Sequence, residues 1–275
     1  MKSVCFAFFV MLFVSCSSDD SVSTKDYSEE NDQEILEYIA ANNLDATASG
    51  SGLYYVIDEQ GEGAEITATS DVSVKYVGTY TDGTVFDTSS DEVVSFNLQN
   101  LISGWVEGLQ YFKEGGSGQL IIPAHLAYGS NDYNGIPGGS VLVFDIEIID
   151  YAAENKQEIL DYIAANSLDA QVTASGLYYV IDEQGEGAQP TSTSNVTVTY
   201  KGYYSDNEVF DENTSSTSFY LEQVIEGWQE GIPLFNEGGS GMLLIPSELA
   251  YGRYDYNGIP GGSVLIFDIE LISVN

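Results

Sequence analysis

The chain has 275 residues, enough for one large domain or two of moderate size. Its 7 Lys+Arg face 43 Asp+Glu, a formal net charge of -36, while 43% of the residues are hydrophobic. That apolar share fits a packed globular protein rather than a disordered one. The charge excludes nucleic acid as a partner, because such a surface repels phosphates, and it disfavours acidic peptides relative to basic ones.

The N-terminus reads MKSVCFAFFVMLFVSCSSDD. Lys2 supplies a short positive segment. Val4 to Val14 is apolar for about 11 residues, the length of a signal-peptide core and well short of the roughly 20 needed to span a bilayer. Phe13-Val14-Ser15-Cys16 resembles the end of a bacterial lipoprotein signal, with Phe13 where such signals usually carry Leu. The resemblance implies that 1–16 is a signal segment ending at a lipidated Cys16. Cys5 would then be lost, and the mature chain would have no disulfide. Ser17 lacks the Asp-type cue for inner-membrane retention, and Ser18-Asp19-Asp20 resembles the acidic export signals of Bacteroidetes lipoproteins. Together these imply a lipid-anchored envelope protein on the outer membrane, with either the inner face or the cell surface open to it. Residues 17–48 read as a polar tether followed by a short helix.

From there the chain repeats itself. QEILEYIAANNLDA (Gln33–Ala46) returns as QEILDYIAANSLDA (Gln157–Ala170), and SGLYYVIDEQGEGA (Ser51–Ala64) returns unchanged at Ser175–Ala188. YNGIPGGSVLVFDIEI (Tyr133–Ile148) returns as YNGIPGGSVLIFDIEL (Tyr256–Leu271). The period is far longer than the roughly 20–50 residues of a solenoid unit, so this is a duplicated domain. The copies are assigned to 49–150 and 174–275, with a joint and second helix at 151–173. One residue is missing from the second copy, between Phe210 and Phe219.

Each copy opens on a helix signal: Ile35, Leu36 and Ile39 (Ile159, Leu160 and Ile163) form an apolar stripe at helical spacing. Asn31 and Asn155 precede Glu34 and Glu158 by three, which reads as a capping box. The stripe is expected to pack on its own domain. LYYVI, DVSVKYVGTY, VSFNL, GQLIIP and SVLVFDIEII then read as strands, with turns at Asp82-Gly83, Gly115-Gly116 and Pro137-Gly138-Gly139. Between Gln99 and Gln110 a short helix carries Trp105; its counterpart carries Trp228, and these are the chain's 2 tryptophans. An antiparallel sheet around one short helix follows, an α+β arrangement.

In order, VSVKYVGTYTDGTVFDTS, LISGWVEGLQYFKEGG, LIIPAHLAYG and IPGGSVLVFDIEI resemble the FKBP-type peptidyl-prolyl isomerases, and the second copy repeats them as VTVTYKGYYSDNEVFDEN, VIEGWQEGIPLFNEGG, LLIPSELAYG and IPGGSVLIFDIEL. The resemblance implies two domains, each a curved antiparallel sheet of five or six strands wrapped on one helix, with an aromatic pocket between them. It implies a site of Tyr76, Phe86, Asp87, Ile102, Trp105, Tyr128 and Phe144 in copy one, with Leu101 and Ile136 lining the bound peptide. In copy two the set is Tyr200, Phe210, Asp211, Ile225, Trp228, Tyr251 and Phe267, with Val224 and Ile259. Trp105 and Trp228 would be flat platforms under a proline ring. Asp87 and Asp211 follow a Phe in apolar context and read as buried acids needing donors; the resemblance implies that neighbouring side chains, including Tyr128 or Tyr251, supply them. The implied partners are proline-containing peptides, unfolded proteins and macrolide inhibitors; no cofactor is implied.

Other chemistries fit poorly. The single histidine, His125, has no histidine in the other copy and cannot be a shared base. No Cys/His cluster has zinc spacing, and Asn131, Asp132, Asn134 and Gly135 lack the distal Glu of a calcium loop. The resemblance implies instead that this segment is a flap that overhangs the pocket and gates peptide entry. A peptide-binding module without turnover, a chaperone or adhesin, is the alternative to an isomerase.

Overall fold

The computed structural model describes residues 25–275; residues 1–16, expected above to be a signal segment ending at Cys16, lie outside the described residues. Helix α1 (Ser28–Asn42) opens the first copy. It ends where Asn43 turns left-handed at φ 53°, which lets the amides of Asn43 and Leu44 return to Ala40 and Ile39. Ile35 is fully buried and packs with Tyr38 and Ile39 against Ile121, Val141 and Val143. Ile35 and Ile39 therefore cover their own domain, as do Ile159 and Ile163, but Leu36 and Leu160 do not belong to the buried stripe: they are 49% and 39% exposed, one position round the helix from the residues that face the sheet.

The first sheet contains β1 (Thr47–Ala48), β2 (Tyr54–Glu59), β3 (Asp71–Thr79), β4 (Val85–Thr88), β5 (Val94–Asn97), β6 (Ser117–Ile122) and β7 (Leu142–Ile148). The order is β1-β2-β6-β7-β3-β4, with β5 also on β3, and the pairs are antiparallel. Side chains alternate across it: Ile121 and Val143 face α1, while Leu120, Ile122, Phe144 and Ile146 face the main core. Helix α2 (Ser103–Gly108) lies on that core face. A Cβ on Gly104 or Gly108 would run into Ile122 or Leu120, so these glycines let the helix sit close enough to bring Trp105 onto the sheet.

The second copy runs α3 (Tyr151–Asn166), β8 (Gln171–Val172), β9 (Tyr178–Glu183), β10 (Asn195–Tyr203), β11 (Val209–Tyr220), α4 (Glu226–Gly231), β12 (Ser240–Ile245) and β13 (Leu265–Val274). Its order, β11-β10-β13-β12-β9-β8, repeats the first. The sheets have 7 and 6 strands. The two-residue strands β1 and β8 add one to each. The difference between copies arises where Ser90 and Asp91 turn left-handed (φ 52° and 69°) and split β4 from β5, whereas β11 runs on through the one-residue deletion.

The capping-box reading of Asn31 and Asn155 is corrected. Both sit inside their helices and are 2% exposed. Asn31 Nδ2 donates to Gly139 O (2.8 Å) and its Oδ1 accepts from Ala124 N (2.9 Å). Asn155 does the same with Gly262 O (2.8 Å) and Ser247 N (2.7 Å). An asparagine at the start of an apolar stripe is thus a cross-brace between helix and sheet loops, because an amide can donate and accept at once. The helix starts before it.

Candidate functional site

In each copy the sheet's core face and the short helix bring a tryptophan among aromatic rings. Trp105 is 4% exposed and meets Tyr76 (5.4 Å, 86°), Phe144 (5.2 Å, 86°) and Phe96 (6.3 Å, 79°). Trp228 meets Tyr200 (5.1 Å, 81°), Phe267 (5.0 Å, 81°) and Phe219 (5.4 Å, 42°). Edge-to-face packing of this kind fixes ring positions, because the positive edge of one ring meets the negative face of another. Phe86 and Phe210 stand behind, edge-on to Phe144 (5.5 Å) and Phe267 (5.4 Å).

In copy one these rings floor a cavity of about 510 Å³ lined by Tyr76, Asp87, Phe96, Asn100, Leu101, Ile102, Trp105, Tyr128, Tyr133, Asn134 and Phe144. Phe86 and Ile136 pack against the core around it rather than lining it. Ile136 closes the flap by exchanging backbone bonds with Tyr133. In copy two a cavity of about 490 Å³ lies between the β10–β11 turn and the flap, lined by Tyr204, Glu208, Phe210, Asp211, Tyr251, Asn257, Gly258, Ile259 and Pro260. Tyr200, Val224 and Ile225 pack with Trp228 and Phe267 in the core cluster and, unlike their counterparts in copy one, do not line this cavity.

The acids differ from expectation. Asp87 and Asp211 are exposed at the mouth, on strands that border their sheets, and are not buried. Their donors are Tyr76 Oη (2.8 Å to Asp87) and Tyr200 Oη (2.7 Å to Asp211), not Tyr128 or Tyr251. The reason is register: Tyr76 and Tyr200 lie on the strand adjacent to the acid. Tyr128 and Tyr251 instead stack on Tyr133 (4.9 Å, 10°) and Tyr256 (4.6 Å, 10°) at the flap. Burial, then the bond to Asp211, pushes Tyr200 up to about 12; burial and Asp87 push Tyr76 higher still. Burial also raises Tyr128 and Tyr251. These phenols are therefore protonated donors at neutral pH.

Asp132, considered above for calcium, and its counterpart Asp255 accept from the backbone amides of Gly138 and Gly261 (2.9 Å each) and shape the flap. Among the described residues no group of three His, Cys, Asp or Glu is placed to hold a metal. Phe96, Phe219, Asn100, Tyr133 and Asn134 were not in the sequence-derived set. The alternation of VSFNL offered a signal for Phe96: Val94 and Phe96 point to the core face that carries Tyr76.

An antiparallel sheet with one short helix against it and a cluster of aromatic rings around that helix's tryptophan, built twice, defines a recognisable class. The model for the FKBP-type peptidyl-prolyl cis-trans isomerases matches residues 63–149 and 186–272, together more than half of the chain. The chain therefore belongs to that family and carries its domain in tandem. Among similar proteins, the FKBP-type peptidyl-prolyl cis-trans isomerase FkpA of Buchnera aphidicola subsp. Schizaphis graminum is 48% identical over 105 residues, 37% of this chain and 42% of that protein. FkpA of Escherichia coli K12 is 38% identical over 128 residues, 45% of this chain and 47% of its own length. The crystal structure of FkpA from Escherichia coli aligns with a TM-score of 0.41 and 39% identity, over 45% of this chain and 60% of that one. The chain thus spans less than half the length of these two curated relatives.

Proposed function

We propose that both domains are working peptidyl-prolyl cis-trans isomerase sites that accelerate rotation about Xaa-Pro bonds. The observation that carries this is the Trp105 floor with its edge-on Tyr76, Phe96 and Phe144 at the base of an open cavity; copy two repeats the ring cluster around Trp228 and adds a cavity lined by Phe210, Asp211, Tyr251 and Ile259. The barrier to be lowered is about 18–20 kcal/mol, set by the partial double bond of the amide. No covalent bond breaks, so no nucleophile or general base is needed. A planar amide is polar and well solvated; the twisted transition state has less charge separation. An apolar floor therefore binds the twisted form better than the planar one, which is catalysis by differential binding. In this reading Tyr128 and Tyr251 donate to the substrate carbonyl, and Leu101, Ile102, Val224 and Ile225 hold the flanking peptide. A thousandfold acceleration needs only about 4 kcal/mol of such preference.

The finer reading places this activity in the cell envelope, on proline-containing surface or envelope proteins, through lipid on Cys16; the Val14-Ser15-Cys16 motif supports it. Macrolides that occupy aromatic proline pockets are expected to compete. The test is cis/trans exchange of a short Xaa-Phe-Pro peptide followed by NMR. The reading predicts acceleration that a macrolide abolishes. Binding of the peptide without acceleration would assign the domains to non-catalytic peptide recognition instead.

A further inference from the structure

The two flaps are held differently. The flap of copy one, Tyr128 to Gly139, makes its hydrogen bonds within its own copy among the described residues. The flap of copy two, Tyr251 to Gly262, reaches across to copy one. Arg253 Nη2 donates to Glu114 Oε1 (2.8 Å) and Nη1 to Ser73 Oγ (3.5 Å). Ser95 Oγ donates to Arg253 O (2.8 Å), and Tyr254 Oη donates to Asp71 Oδ1 (2.7 Å). The same flap is gripped from behind by α3, through Asn155 on Gly262 O and the Tyr151 ring against Gly262. Gly262 has φ 80°, and a Cβ there would overlap that ring.

The chemistry of Glu114 explains why the contact exists. Its counterpart, Glu237, accepts from the backbone amide of Val274 (2.8 Å) as β13 continues to the end of the sheet. In copy one the chain leaves the sheet after Ile148 and becomes α3 at Tyr151, so that strand amide is not there. Glu114, 7% exposed, must find another donor, because an unpaired buried carboxylate is costly. Arg253 supplies it. It is one of only 7 Lys+Arg in the chain, and it stands where copy one has Ser130. Ser73 and Asp71 lie on β3, which also carries Tyr76, and Ser95 precedes Phe96 on β5. The contact thus ties the roof of one pocket to the strands that floor the other.

We infer that the site of copy two is completed by copy one: Arg253 is a positioning residue that pins the copy-two flap to Glu114, Ser73 and Ser95 and holds the two domains as one body. This rests on the reading of that flap as the roof of a proline-peptide site. Arg253 does not touch the peptide; it acts through Tyr251 and Ile259, which line the cavity.

The experiment uses the full-length chain, wild type against Arg253→Ser/Glu114→Gln, which removes the ion pair without leaving a buried charge. Backbone relaxation is expected to give one rotational correlation time for the wild type and two for the double variant. Amide exchange is expected to rise in 254–262 and not in 130–139. Titration with a short Phe-Pro peptide is expected to weaken at Tyr251 by about tenfold, within the usual range of coupling between sites, and to stay unchanged at Tyr128. Arg253→Lys keeps the charge but loses the fork, so it should recover part of the affinity. Tyr254→Phe, which removes only the Asp71 bond, should shift it about twofold. Independent tumbling of the wild-type domains, or a double variant with unchanged flap exchange, would overturn the inference. If the wild type binds no peptide at either site, the isomerase reading fails, and relaxation and exchange still decide the docking.

Discussion

The two domains share a sheet order, a tryptophan floor and a flap, yet they are not interchangeable. Copy one has a strand broken at Ser90-Asp91, a cavity open down to Trp105 and a flap that stays within its own domain. Copy two has an unbroken β11, Phe219 tilted at 42° over Trp228 where Phe96 stands at 79° to Trp105, and a flap docked on its neighbour. The floors are set by local sequence that duplication copied. The roofs differ because copy one leaves its sheet after Ile148 and turns into α3 at Tyr151, whereas β13 of copy two stays in the sheet to Val274. A tandem repeat can therefore preserve chemistry while dividing mobility between its halves.

Substitutions can separate the two halves. The largest effect is expected from Trp105→Ala and Trp228→Ala. Each empties a buried aromatic position and should cost about 3–5 kcal/mol, confined to its own domain. Domain-resolved hydrogen exchange in denaturant would show this; equal loosening of both copies by one substitution would show that the domains fold as a single unit. Next come Asn31→Ala and Asn155→Ala. Each strands a buried carbonyl and a buried amide, for roughly 1–3 kcal/mol of destabilisation. Asn155→Ala should also release the copy-two flap from α3, read as faster amide exchange near Gly262, whereas Asn31→Ala should act near Gly139.

Smaller effects sharpen the comparison of the pockets. Tyr128→Phe and Tyr251→Phe remove one neutral donor each, so each site should lose about 0.5–1.5 kcal/mol of transition-state preference, a few-fold in rate, with little change in stability. Rates measured with each site studied alone would check it, and no change in either would move the donor role elsewhere. The pH response follows from the phenols. Tyr200 is pushed up to about 12 from an ordinary value near 10, so its protonated form is favoured in the fold. Its contribution is full below pH 10 and is lost as pH rises towards 12. Isomerase rates should therefore stay level from about pH 6 to 9, and a bell-shaped profile in that window would point to a titrating acid or base.

Much of this was legible in the chain because the duplication acts as an internal control. Trp105, Tyr76 and Phe144 reappear at matched places with Trp228, Tyr200 and Phe267, and the structure brings each trio within ring contact. The alternating strands and the helical stripe of Ile35 and Ile39 were readable from periodicity alone. What escaped depends on geometry across distant segments. Asn31 looked like a cap because a polar residue before an apolar stripe has that meaning locally; its partners are 93 and 108 residues away. The partner of Asp87 is set by the pairing of β3 with β4, which composition does not specify. Arg253 gave one signal, a cation in place of Ser130 within an acidic chain, but its meaning needed the relative placement of the domains.

The most direct measurement of the central claim is cis/trans exchange of a Phe-Pro peptide by the full-length chain carrying Tyr76→Ala with Trp105→Phe, Tyr200→Ala with Trp228→Phe, or both pairs. Two working sites predict acceleration that falls partway with either pair and vanishes with both. Acceleration that survives both pairs, or that one pair alone abolishes, would contradict an isomerase built from two aromatic floors.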